Sequence, residues 1–141
     1  MKSKTTNELH SGLMEQPNLD AYLKENAPHF ADKNVAKLLG ALYKDKLVSK
    51  AELARQAGIS EVYLHQVFSG RRKPSRDRLI CICIGLQSNL EETQRILKQA
   101  GYAQIYPKIR REAIICHGIV HRRDLNQIND MLFANNEKTL F

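Results

Sequence analysis

Apolar residues recur every three to four positions along most of this chain. No run of alternating β-branched and polar residues bounded by turn dipeptides interrupts them, so the pattern predicts an all-α fold. Residues 1 to 17 are polar and weakly periodic and predict no firm element. Leu19, Tyr22 and Leu23 then mark a short amphipathic helix opened by Asn18 and stopped before Pro28. From Asp32, the set Val35, Ala36, Leu38, Leu39, Leu42, Tyr43 and Leu47 predicts a longer helix, with the lysines at 33, 37, 44 and 46 largely outside its apolar stripe.

Ser49 followed by Glu52 has the spacing of a capping box, in which the serine oxygen accepts from one unpaired backbone N–H and the glutamate reaches back to another. A helix therefore starts at Lys50, turns Leu53, Ala54 and Ala57 inward, and halts at Gly58, which tolerates the left-handed conformation of a helix end. Ser60 caps a second short helix, with Leu64, Val67 and Phe68 inward and its end at Gly70. Two short helices joined by a tight glycine-containing turn make a helix-turn-helix. Ala54 is small where the second helix must cross close, and Ile59 ties the corner to the core.

Charge sharpens this picture, because the formal net charge of +7 is unevenly spread. Residues 32–88 hold 11 basic and 5 acidic side chains and so carry +6 of it. A localised basic face suits a polyanion. No stretch approaches the roughly 20 apolar residues of a membrane span. The start of the sequence has no charged n-region followed by an apolar h-region, and the three cysteines lie inside apolar runs, so the expected setting is a reducing cytoplasm.

The string SKAELARQAGISEVYLHQVFSGRRKPSRDRL, with Leu53-Ala54, Ala57-Gly58-Ile59-Ser60, the core positions Leu64 and Val67, and Gly70 followed by Arg71, Arg72, Lys73, Pro74 and Ser75, resembles the DNA-binding domain of lambda-repressor-like (XRE) transcriptional regulators. The resemblance covers about residues 32 to 88 and implies a five-helix domain whose helix after Ser60 enters the major groove of double-stranded DNA. It implies that Glu61, Val62, Tyr63 and Gln66 face the groove from the Ser60-capped helix, and that Lys50 meets a phosphate. Gln66 is the base reader it favours, because an amide donates and accepts at once and matches the N6 and N7 edge of adenine. His65 is placed beside phosphate or solvent, and Arg71, Arg72 and Lys73 are placed where flexible cations fix register on the backbone. Two positions depart from the pattern. Phe68 stands where many relatives carry glutamate, and Glu61 is acidic on a DNA-facing position, so it either accepts from a cytosine amino group or weakens binding.

Laying residues 75–106 on 110–141 gives an internal repeat offset by 35 residues, with identities at Arg76/Arg111, Ile80/Ile115, Cys81/Cys116, Ile84/Ile119, Leu90/Leu125 and Leu97/Leu132. Each copy reads as an apolar helix, a capped turn and an amphipathic helix, with Ser88 and Glu91 in the first copy and Asp124 and Gln127 in the second as caps. The expected organisation is an N-terminal helical arm (1–31), a helix-turn-helix domain (32–88) and a helical-hairpin extension (89–141). Two stacked hairpins leave an apolar end uncovered, so residues 110–141 are expected to mediate a homodimer or to meet another protein partner.

Other chemistry finds little support. Cys81 and Cys83, two apart on a helix, point in different directions and read as core, as does Cys116. His117 and His121 share a helical face but have no evident third ligand, so no metal site and no cofactor are expected. No catalytic motif occurs, and the chain is not expected to be an enzyme. Two functions remain: a sequence-specific DNA-binding regulator, or a helical adaptor that keeps the helix-turn-helix fold and uses its surfaces to bind another protein, with Glu61 as the sign that DNA readout is lost.

Overall fold

A computed structural model describes residues 5–26 and 35–141, and every described element is helical. The chain divides into two compact units, Met1–Ala31 and Asp32–Phe141.

The first unit is a pair of short helices. Helix α1 (Thr6–Glu15) is closed at its start by a full capping box between Thr5 and Glu8. The weak periodicity of residues 1 to 17 hides this helix, because it buries none of its residues and so leaves no apolar stripe to read. Helix α2 (Leu19–Asn26) starts where expected, with the Asn18 side chain accepting from the Ala21 N–H. The Tyr22 hydroxyl donates to the Leu9 carbonyl at 2.8 Å and joins the two.

In the second unit, helices α3 (Val35–Lys44), α4 (Lys50–Gln56) and α5 (Glu61–Phe68) precede two hairpins, α6 (Arg76–Gly85) with α7 (Leu90–Gln99) and α8 (Arg110–Val120) with α9 (Leu125–Ala134). The opening of the third helix at Asp32 falls outside the described residues. Leu47, expected on its apolar stripe, lies beyond its end and is fully exposed. The centre of the unit is α6, where every residue from Leu79 to Ile84 is buried. A helix apolar on all sides has no outward face and must be enclosed by its neighbours. Around it one hydrophobic cluster runs from Val35 through Leu53, Leu64 and Leu97 to Leu132 and Leu140. The core of the helix-turn-helix is therefore continuous with that of the hairpins.

The 35-residue repeat holds in the backbone as well as in the apolar pattern. Gln87 and Arg122 both take positive φ at the hairpin turns, 54° and 58°, and Gly101 and Asn136 do so after the second helices. Arg76 donates to the carbonyls of Ala103 and Gln104, while Arg111 donates to those of Lys138 and Thr139. The side-chain oxygens of Gln94 and Asn129 accept from the N–H groups of Ile105 and Leu140. The asparagine is one methylene shorter, and its buried Nδ2 is left without the bond that Gln94 Nε2 makes to the Ile105 carbonyl. The cap of the first copy sits one residue later than expected: Asn89 and Glu92 form the capping box, Glu91 pairs instead with Arg95, and Ser88 is buried with its hydroxyl unsatisfied. In the second copy Asp124 and Gln127 form the box as expected.

The hairpins meet reciprocally. Arg76 pairs with Glu112 while Arg111 pairs with Asp77, and α6 touches α9 as α7 touches α8. Contact of i with j matched by the equivalent contact of j with i is the mark of a two-fold axis, here an approximate one inside a single chain. Burial alone would push the Glu112 carboxyl up, but hydrogen bonds from Arg76 and the Tyr106 N–H, with the charges of Arg76 and Arg111, hold it below the usual glutamate range.

Candidate nucleic-acid interface

The helix-turn-helix closes as its residue types dictate. Ser49 accepts from the Glu52 N–H at 3.1 Å, but Glu52 does not reach back; its carboxylate is held by Arg55 and Gln56, so only half of the expected box forms. At the other end of α4, Gly58 at φ +67° lets the Ile59 N–H return to the Ala54 carbonyl at 3.0 Å. Ser60 then caps α5 by accepting from the Tyr63 N–H at 3.1 Å. Leu64 and Val67 are buried, and Gly70 at φ +81° ends the helix in the same way, with the Arg71 N–H donating to the Gln66 carbonyl. With the inward face fixed by Leu64 and Val67, the residues offset from them point outward.

Those outward residues are Glu61, Val62, His65 and, partly buried, Gln66. Val62 is 68% exposed, a large apolar side chain on an otherwise polar helix face. The Gln66 amide makes no side-chain hydrogen bond among the described residues, so both its donor and its acceptor remain available. Glu61 is engaged: one carboxylate oxygen lies 3.2 Å from His65 Nε2, one helical turn away, which leaves the other oxygen to accept from a partner.

The cations gather around aromatic rings. The Arg72 and Arg78 guanidinium groups lie 5.6 and 5.2 Å from the centroid of the Tyr63 ring. Lys73 sits 4.8 Å from the Tyr102 centroid, and the Tyr102 hydroxyl donates to the Pro74 carbonyl. Lys50 sits 4.6 Å from the Phe68 centroid and 5.3 Å from that of Tyr43, whose ring meets Phe68 edge-on. Phe68 packs on Tyr43, and the ring faces hold these cations by their quadrupole without neutralising them. Arg71, Arg72, Lys73 and Arg78 are exposed and form no ion pair among the described residues.

Arg78 is the residue that sequence reasoning missed. It belongs to α6, fifteen positions from Tyr63, and the packing of α4 against both α5 and α6 brings it to the ring. The basic spacing Arg76-x-Arg78 at the helix start was visible, but the two arginines diverge: Arg76 is consumed by Glu112 and two carbonyls, and Arg78 is not.

His117 and His121 stack with ring centroids 4.2 Å apart, and no group of three metal-ligating side chains occurs among the described residues. Burial pushes the Cys81 and Cys83 thiols up to about 12, so neither is a nucleophile at neutral pH. No described helix is long and apolar enough to cross a membrane.

Comparison with known proteins agrees with the geometry. A family profile described as Helix-turn-helix matches residues 39–92, which spans α4 and α5 and the cations after them. The chain is also similar to the ImmF control region 10 kDa protein of Bacillus phage phi105, with 37% identity over 86 residues, covering 55% of this chain and 96% of that protein. No solved structure matches the chain significantly. With the two helices, their glycine-ended turn and these matches together, the chain belongs to the XRE-type helix-turn-helix family.

Proposed function

We propose that this chain is a sequence-specific DNA-binding transcriptional regulator. The observation that carries the reading is the side-by-side placement of an outward helix face, Glu61, Val62, His65 and Gln66, and a set of unpaired cations held on aromatic rings. In this reading α5 lies in the major groove and Gln66 reads adenine. Val62 meets a thymine methyl, and the second oxygen of Glu61 accepts from a cytosine amino group. Ser60 and Tyr63 sit at the groove edge. Lys50, Arg71, Arg72, Lys73 and Arg78 meet phosphates and set register. The name of the phage relative, a control-region protein, supports a regulatory role. Two copies joined through residues 110–141 would present two recognition helices to a two-fold site.

The test is selection of bound sequences from random DNA, followed by Gln66→Ala. Loss of about 1 to 3 kcal/mol on the selected site with little change on random DNA is expected, because a base contact and no charge is removed. Equal loss on both would remove Gln66 as a reader.

One observation favours a second reading, a protein-binding adaptor. Glu61 places a carboxylate on the very face that would approach phosphate. An adaptor of this kind would select no DNA sequence, and the same selection experiment separates the two.

A further inference from the structure

Between α8 and α9 lies an open groove of about 650 Å³, floored by Ile114, Gly118, Ile128 and Met131. The internal two-fold axis gives this groove a counterpart on the first hairpin. Thirty-five residues earlier stand Leu79, Cys83, Thr93 and Ile96, all buried. On α6 the line Arg78, Ile82 and Gly85 faces the preceding helices: Arg78 meets Tyr63, and Gly85 lies against Leu53 and Ala57. The matching line on α8 is Ala113, His117 and Val120, with Val120 55% exposed. Arg78 is itself exposed, but at Ile82 and Gly85 this face is covered by helices in the first hairpin, and at His117 and Val120 it is uncovered in the second.

The charges on the α9 lip of the groove indicate what covers it; on the α8 lip, Arg110 donates to the Asn135 side chain. Arg123, Gln127 and Asp130 all line the groove at spacings of four and three, which places them along one face of α9 and the turn that leads into it. Neither Arg123 nor Asp130 forms an ion pair among the described residues. The stripe reads positive, neutral, negative from the turn into α9. Turned end over end, it reads negative, neutral, positive. A second copy lying antiparallel would therefore set each Arg123 against the other copy's Asp130, with Gln127 at the axis, which is the reciprocal pattern the two hairpins already use within the chain.

We propose that the α8–α9 groove is the seam of a homodimer, in which a second copy of this chain pairs α9 antiparallel across a two-fold axis at Gln127 and seats its half-exposed Met131 on the floor. This rests on the homodimer reading above and adds the surface, the orientation and the charge pairs. Charge reversal tests it, because both residues are exposed and outside the core.

Sedimentation of the full chain at tens of micromolar should give a dimer. Asp130→Arg alone and Arg123→Asp alone should each weaken self-association at least about tenfold, since each sets two like-charge pairs across the axis. Mixing the two variants should restore the dimer, and so should both changes in one chain. Lys98→Glu, an exposed charge change on α7 outside the groove, should leave association unchanged. A monomeric parent chain overturns the homodimer reading itself. A dimeric parent whose association ignores both reversals, or whose variants fail to rescue one another, keeps the homodimer and overturns this seam.

Discussion

Gly118 and Ile128 offer a test of whether the two hairpins are one structural unit repeated. A methyl placed on Gly118 would lie 2.4 and 2.7 Å from two side-chain carbons of Ile128, so the isoleucine must shift to admit it. In the first hairpin the matching pair is Cys83 and Thr93, both buried, with the threonine hydroxyl donating to the Asn89 carbonyl. One hairpin divides the space as glycine with isoleucine, the other as cysteine with threonine. Gly118→Cys alone gains about 0.3 kcal/mol of helix propensity but drives a side chain into Ile128, for a net loss of about 1 to 2 kcal/mol. Ile128→Thr alone removes a methylene and buries a hydroxyl, at a cost of about 2 kcal/mol. The double variant recreates the first hairpin's pair, and its hydroxyl can donate to the Asp124 carbonyl, the counterpart of Asn89. It should lose under about 1 kcal/mol, a coupling of about 2 kcal/mol or more. Urea unfolding reads this as a midpoint shift of about 1 M for each single variant and little for the double. Additive losses would refute the equivalence of the hairpins.

Three further outcomes follow from the site and the core. Arg78→Ala should weaken binding to all DNA sequences and reduce the slope of log affinity against log salt by about 0.9, as for one lost phosphate contact; an unchanged slope would return Arg78 to a purely packing role. Glu112 has its carboxyl held below the ordinary value of 4.5, so the stability it confers is present above that value and lost as pH falls through the folded one. Glu112→Gln should cost about 1 to 3 kcal/mol at pH 7 and flatten the acid limb of a stability–pH curve. Cys81 and Cys83 run the other way. Their thiols ordinarily ionise near 9.0 and are raised to about 12, so their contribution is full below pH 9 and is lost as pH rises toward 12. A thiol reagent at pH 8 should label the half-buried Cys116 first and leave the other two unmodified until unfolding.

The parts of the fold that were legible in the sequence are those where one residue satisfies a local geometric demand. Ser49 and Ser60 cap because a hydroxyl is needed at a helix start, and Gly58 and Gly70 end helices because the backbone there turns left-handed. The 35-residue repeat was legible through its apolar positions, although its strongest signature, paired arginine-to-carbonyl bonds, belongs to residues more than 25 apart. What escaped reading depends on neighbours from elsewhere in the chain. Glu52 has the spacing to close a capping box, yet Arg55 and Gln56 compete for its carboxylate and win. The same holds for Ser88 and Asn89, adjacent residues able to cap; burial of the serine side decides between them. Arg78 joins the cation cluster only through the packing of α4 against both α5 and α6, and α1 gave no periodic signal because none of its residues is fully buried.

The central claim is that the basic face beside α5 binds DNA, and the salt dependence of binding tests it most directly. Lys50, Arg71, Arg72, Lys73 and Arg78 are five cations per copy without an ion-pair partner among the described residues. Fluorescence anisotropy on a sequence selected from random DNA, over about 50 to 300 mM salt, should then give a log–log slope of about −4.5 per bound copy. A selected duplex that binds with a slope near zero, or a chain that selects no sequence at all, would contradict the account and leave the helix-turn-helix as a surface for protein.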